Sequence, residues 1–226
     1  MIKAAIFDLD GTISDTVSTI AHYGNLSLNY YGFPSIEVEK FKYFAGDGKK
    51  VLIHRMLDFL GLDTEENFLK VEKKYDSEYE KDVIFESKPF DQIPELLTKL
   101  RENGIKTAVL SNKPHNVTKM LVDKVFKNLI DVCYGKVDGV PAKPAPDGVF
   151  KVISELSVNP EDCIFVGDTN VDIKTAKNAN IISVGVLWGF RDEKELREAR
   201  ADFIVQKPMD IFDFILKIEN EKKREN

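Results

Sequence analysis

Apolar positions along this chain follow two rhythms. Short continuous runs alternate with stripes at three- and four-residue spacing. The first run, Lys3 to Phe7, stops abruptly at Asp8. Similar runs recur at Ile105 to Leu110, Asp131 to Tyr134 (the weakest), Cys163 to Val166, Ile181 to Val186 and Phe203 to Val205. Their length, their Ile, Val and Phe content and their flanking turn residues predict buried strands. Between the later runs, Ile93, Leu96, Leu97 and Leu100 form one helical stripe. Further helices are predicted after Pro114, over Asp147 to Leu156 and over Val171 to Ala179. Strands alternating with helices predict an α/β architecture: a parallel sheet built by right-handed crossovers, with helices on both faces.

Residues 14–89 break the rhythm. They hold no convincing strand. Leu52, Ile53, Met56, Leu57 and Leu60 form one stripe, and Phe68, Val71, Tyr75 and Tyr79 another. Asp63 with Glu66 resembles a helix start. The expected division is therefore a core of residues 1–13 and 90–226, with a small helical cap, 14–89, inserted after the first strand.

Composition narrows the function. Of 226 residues, 43% are hydrophobic, enough for a sizeable core. A formal charge of -6 disfavours nucleic acid as a partner. No apolar run is long enough to span a membrane, and the acids at Asp8 and Asp10 cut short any leader-like stretch. Cys133 and Cys163 lack metal or redox spacing and are expected to be free thiols in a cytoplasmic protein, monomer or homodimer.

The polar residues at the strand ends carry the chemistry. In an open parallel sheet, ligands bind beyond the carboxyl ends of the strands. The first strand ends in Asp8-Leu9-Asp10, the second in Ser111-Asn112-Lys113, and a later one in Gly167-Asp168 with Asp172 four residues on; Lys143 lies in the loop "AKPAP". Each piece has a plain alternative. Asp10-Gly11 is a common turn, Ser111 a helix cap, Lys143 a loop cation, and Asp168 with Asp172 suits the start of a helix. Leu9 to Thr12 lacks the acids of a calcium loop. Convergence on one edge favours a single site. There Asp8 and Asp168 offer hard oxygen ligands suited to Mg2+.

The ordered set "DLDGT", "LSNK", "KPAP" and "GDTNVD" resembles the four motifs of the haloacid dehalogenase superfamily, over nearly the whole chain from Lys3 to about Val205. Within it, "FAGDGKKVLIHRML" and "GVLWGF" look most like the phosphoglycolate phosphatase branch. The resemblance implies a Rossmann-like core with a helical cap, and a Mg2+-dependent phosphatase acting on a small phosphate ester. Asp8 would be the nucleophile and Asp10 the proton carrier. Ser111 and Lys143 would hold the phosphoryl oxygens, and Thr12 would fix the loop. Asp8, Asp168 and the Asp10 carbonyl would bind the metal, with Asp172 in support. The second acid favours phosphoryl transfer over carbon–halogen cleavage. Phosphoglycolate is the leading substrate; pyrophosphate, a nucleotide, another sugar phosphate, a phosphosugar mutase reaction and a silent binding module are the rivals. Arg55, Lys49 and Lys50 are the cap's candidates for substrate contact, Arg55 as a partner for a carboxylate or simply an exposed helix residue. His22, His54 and His115 are read as surface or cap residues, and Trp188 as either core or pocket wall.

Overall fold

An apolar run with no polar position on either side suits a strand covered on both faces, and Ala4–Phe7 is buried throughout. The computed structural model describes the backbone of residues 1–225 and the side chains of residues 1–220. In chain order, β1 (Ala4–Phe7) and β2 (Ser14–Asp15) precede α1 (Val17–Tyr30), α2 (Val38–Phe44), α3 (Lys49–Phe59) and α4 (Glu65–Tyr79). Then come β3 (Lys88–Pro89), α5 (Ile93–Glu102), β4 (Lys106–Pro114), α6 (His115–Val125), β5 (Val132–Lys136) and α7 (Asp147–Leu156). The chain continues through β6 (Cys163–Gly167), α8 (Asn170–Asn178), β7 (Ile182–Val186), α9 (Glu193–Glu198), β8 (Phe203–Val205) and α10 (Met209–Glu225).

Six strands form one parallel sheet in the order β5-β4-β1-β6-β7-β8. The two-residue side-chain period of β1 divides its faces. Ala5 and Phe7 join a core with Leu96, Leu97 and Leu100 of α5, Leu121 of α6 and Ile211 and Ile215 of α10. Ala4 and Ile6 join the opposite core, with Val149 and Val152 of α7 and Ala176 of α8. Each large side chain so buried contributes roughly 1.5–3 kcal/mol. The Rossmann-like α/β reading therefore holds. No helix among the described residues is long and apolar enough to cross a membrane.

Three local expectations are corrected. The strand expected to end at Leu110 runs on to Pro114, with a register shift between these residues against β5. Ser111, Asn112 and Lys113 thus lie on an irregular strand end; such bulges re-aim side chains. Residues 14–89 do contain strand: β2 and β3 pair antiparallel, Ser14 with Pro89 and Asp15 with Lys88, where the chain leaves and rejoins the sheet. Thr64, not Asp63, caps α4, its hydroxyl accepting the Asn67 N–H at 3.2 Å; Asp63 instead meets His54 at 2.9 Å.

Helices α1–α4 bury Ile20, Phe41, Ile53, Met56 and Val71 in a third cluster, which Phe190 and Val117 join from the sheet side. A polar clasp adds to this contact. Arg191, beyond β7, donates to the carbonyls of Lys42 and Ala45, the latter at 2.9 Å, at the end of α2. A carbonyl left without its donor costs about 1–3 kcal/mol when buried. Arg191→Ala should lower the free energy of unfolding, read from urea titration, by that order, whereas Arg200→Ala at an exposed position should leave it within about 0.5 kcal/mol.

Candidate active site

β1, β4 and β6 are neighbours in the sheet and end at the same edge, so groups far apart in sequence meet there. Asp8 stands just past β1 and is 5% exposed. Lys143 Nζ lies 2.7 Å from Asp8 Oδ1 and 2.7 Å from Asp172 Oδ1. Asp172 Oδ2 accepts the Thr169 N–H at 3.0 Å and the Thr169 hydroxyl at 2.7 Å, which also caps α8. Asp168, fully buried, accepts the Thr12 hydroxyl at 2.8 Å and the Phe190 N–H at 2.7 Å. Oxygens of Asp8, Asp168 and Asp172 all lie within 4.8 Å of one another. Backbone packs tightly around them. A Cβ on Gly11, whose φ is +82°, would sit 2.4 Å from Asp168 Oδ2, and one on Gly189 would sit 2.3 Å from Asp168 Cβ.

Asp10 faces the other way. Its carboxylate accepts the Thr16 hydroxyl at 2.7 Å and Lys113 Nζ at 3.0 and 3.2 Å. Ser111 is buried and accepts the Lys113 N–H at 3.2 Å, so it is not a helix cap; α6 starts only at His115. Asn112 accepts the Lys143 N–H at 2.9 Å and donates to the carbonyls of Lys143 (3.0 Å) and Gly46 (3.1 Å), which holds the lysine loop and the turn before α3 together. A cavity of about 240 Å³ opens over these groups, lined by Asp8, Asp10, Ser111 and Lys113 below and by Lys49 and Tyr79 above.

Comparison with known proteins gives this arrangement a family. The model of haloacid dehalogenase-like hydrolases matches residues 5–186. The chain belongs to this family. It is 28% identical over 211 residues to a phosphoglycolate phosphatase of Aquifex aeolicus, covering 93% of this chain and 95% of that protein. It is 30% identical over 210 residues to a candidate pyrophosphatase of Caldanaerobacter subterraneus, with 91% and 90% covered. A crystal structure from Lactobacillus delbrueckii, described as a candidate phosphoglycolate phosphatase, superposes with a TM-score of 0.89 at 30% identity, covering 92% of this chain and 96% of that one.

Sequence reasoning about this haloacid dehalogenase-like chain missed two pocket residues. Lys113 stood in a quoted motif without a role, because nothing in its neighbours announces a partner 103 positions away. Tyr79 belongs to an apolar helical stripe, which gives no local sign that it borders the cavity. Of the proposed cap cations, Lys49 lines the cavity but is held by Asp76 at 2.6 Å and Glu72 at 3.4 Å. Lys50 is exposed, and neither it nor Arg55 lines the cavity. Arg55 is committed to Asp47 at 2.7 Å and the Phe44 carbonyl at 3.0 Å. His22 on α1 and His54 on α3 are exposed; His115, half-buried at the start of α6, accepts the Gly135 N–H. Trp188 packs on the sheet core and donates to the Thr12 carbonyl at 2.8 Å.

The buried acids are electrostatically incomplete. Burial pushes Asp8 up to about 8, against the pull of Lys143 and with the push of Asp172 and Asp168. Burial and Asp172 push Asp168 up to about 7, against the Phe190 N–H and Thr12. Burial alone would discharge Lys143, but Asp172 and Asp8 outweigh it and raise its pKa. Asp8 Oδ1, despite the nearby ammonium, has no well-directed hydrogen bond. An oxygen-only donor set of three buried carboxylates that share one ammonium fits a hard divalent cation. Because Asp8 and Asp168 are raised when folded, the native state holds protons that the unfolded chain has already lost above about pH 4. Their contribution to stability therefore falls as pH rises through about 7 to 8. A divalent cation replaces those protons, so its stabilising effect should grow with pH. Thermal melts should show a larger Mg2+-induced Tm rise near pH 8 than near pH 5.5. An equal rise at both would contradict the assignment.

Proposed function

We propose that this chain, a phosphoric monoester hydrolase of the haloacid dehalogenase-like family, is a Mg2+-dependent phosphatase that cleaves a small phosphorylated carboxylic acid through an aspartyl phosphate. The leading substrate is 2-phosphoglycolate. One observation carries the reading: a buried Asp8 paired with a charged lysine and clustered with two further buried acids, with Asp10 two residues on lining the same cavity.

Asp8 attacks phosphorus as the bond to the ester oxygen breaks. Asp10 gives its proton to that oxygen, which leaves as an alcohol. Water then attacks the phosphorus of the acyl phosphate and gives its proton to Asp10; inorganic phosphate departs and Asp8 is restored. Lys143 and the Ser111 hydroxyl hold the oxygens of the transferring group. Thr12 keeps Asp168 in place through its 2.8 Å hydrogen bond. Asp8, Asp168 and the Asp10 carbonyl would hold Mg2+, with Asp172 supporting Lys143 and the metal. When bound, the ion neutralises the repulsion between an anionic nucleophile and an anionic ester. The second acid, Asp10, supplies a proton carrier that a hydrolytic dehalogenation would not need.

Cavity size supports a small substrate. About 240 Å³ is below the roughly 300–1,000 Å³ of pockets that take drug-sized ligands, which disfavours a nucleotide. A second reading, pyrophosphate hydrolysis, draws support from the 30% identical candidate pyrophosphatase. The complete set of acids and lysines weighs against a silent binding module. Two unpaired cysteines, with thiols that burial pushes up to about 12, suit a cytoplasmic enzyme.

Purified protein should release phosphate from p-nitrophenyl phosphate only with Mg2+. Asp8→Asn should lower turnover by at least about 10⁴-fold while keeping the fold. Ranking kcat/KM for 2-phosphoglycolate, pyrophosphate and sugar phosphates separates the two readings. Turnover of Asp8→Asn within tenfold of the parent would end the nucleophile assignment.

A further inference from the structure

The cavity holds a second set of polar groups, distinct from those that handle the phosphoryl group. Lys113 is 9% exposed and lines the cavity. Two of its three ammonium donors go to Asp10, at 3.0 and 3.2 Å. Its Nζ lies 4.8 Å from the centre of the Tyr79 ring, on the opposite wall. Tyr79 also lines the cavity, and its side chain is 4% exposed. Yet the Tyr79 hydroxyl has no hydrogen-bond partner. A buried hydroxyl left unsatisfied is destabilising, and its retention beside a cavity points to a ligand that completes it.

We infer that Lys113 and Tyr79 form a subsite for a carboxylate on the leaving-group side of the substrate. The inference rests on the reading of Asp8 as nucleophile and Asp10 as proton donor, which fixes the substrate's direction. The ester oxygen must come to Asp10. A carboxylate one carbon beyond it then stands beside Asp10's own neighbour, Lys113. One ammonium donor and one hydroxyl donor remain, and a carboxylate has two oxygens to receive them. A terminal phosphate, with three oxygens and up to two charges, would be left under-satisfied. Lys49 and Lys143 are each held by two carboxylates, Asp76 and Glu72 for the first and Asp8 and Asp172 for the second, whereas Lys113 is held by Asp10. Recognition through Lys113 thus selects short phosphorylated 2-hydroxy acids over neutral esters of the same size.

The test compares 2-phosphoglycolate with 2-hydroxyethyl phosphate, in which a neutral hydroxymethyl group replaces the carboxylate. The parent protein should favour the acid in kcat/KM by about 100-fold or more. Lys113→Met should reduce that preference at least about tenfold, and Tyr79→Phe roughly three- to tenfold. Tyr79→Phe removes only an unpartnered hydroxyl, so its Tm should not fall, which separates lost recognition from lost packing. Equal kcat/KM for the two esters in the parent, or an equal loss for both in each variant, overturns the subsite; the uniform loss would make Lys113 a positioning residue for Asp10. Calorimetric binding of both esters to Asp8→Asn protein, with and without Lys113→Met, gives a readout independent of turnover. If neither ester is cleaved, the phosphatase reading falls, while a carboxylate-specific, about tenfold loss of affinity still supports the subsite and equal affinities reject it.

Discussion

Lys143 stands between Asp8 and Asp172, 2.7 Å from each, and almost no water reaches any of the three. The rest of the site depends on that contact. Ionised together with Asp168, three carboxylates face one ammonium, which leaves two negative charges in a place of low polarity. Withdrawing such charges from water costs several kcal/mol each, and one cation cannot offset three anions. A second lysine is near, but Lys113 pairs with Asp10, outside the three clustered acids. Two uncompensated negative charges are the complement of a divalent cation. Burial is the larger cause of the raised pKa values of Asp8 and Asp168, and the charge of Asp172 adds to both.

Such a cluster cannot form locally. Asp8 follows β1, Asp168 follows β6, and Lys143 lies in the loop before α7, tied down by Asn112 at the irregular end of β4. Only parallel pairing of β4, β1 and β6 brings them together. The apolar cores on the two faces of the sheet supply the free energy that holds these like charges at close range. Stability and chemistry are thus separated in space: alternate residues of β1 hold the layers, and its last turn carries the acids.

That separation decides what the sequence could reveal. Strands and acids were legible because continuous apolar runs and abrupt polar ends are local features. The α5 stripe, Ile93 to Leu100, and the strand Phe203 to Val205 were read as they stand. The passage from Leu110 to Pro114 was not, since Ser-Asn-Lys looks like loop when a bulged strand end carries it. The β2–β3 ribbon was invisible, because two residues on each side have no period to detect. Asp63 with Glu66 has the spacing of a helix start, but Thr64 suits the cap position equally and holds it; the pairing of Asp63 with His54 is a tertiary fact. Lys113 and Tyr79 illustrate the same limit. Their meaning lies in each other and in Asp10, all distant in sequence.

The position of these two residues also bears on how selectivity can change without harm to the chemistry. Asp168 is locked by close backbone approach at Gly11 and Gly189, and Asp172 by Gly167, where a Cβ would collide with the acid. Rigid placement of this kind suits groups that must meet developing charge in the transition state. The opposite wall is made of helices that meet the sheet through a small apolar contact, the Arg191 clasp and the Asn112 bond to Gly46. Substitutions on α3 or α4 change the cavity's lining without moving a strand. Lys113 is the exception, since it belongs to the sheet and touches Asp10, yet borders the helical wall. Under the proposed roles a change there alters both recognition and proton transfer, whereas a change at Tyr79 alters recognition alone. Divergence in substrate within one chemistry is therefore easier through the tyrosine's helix than through the lysine's strand.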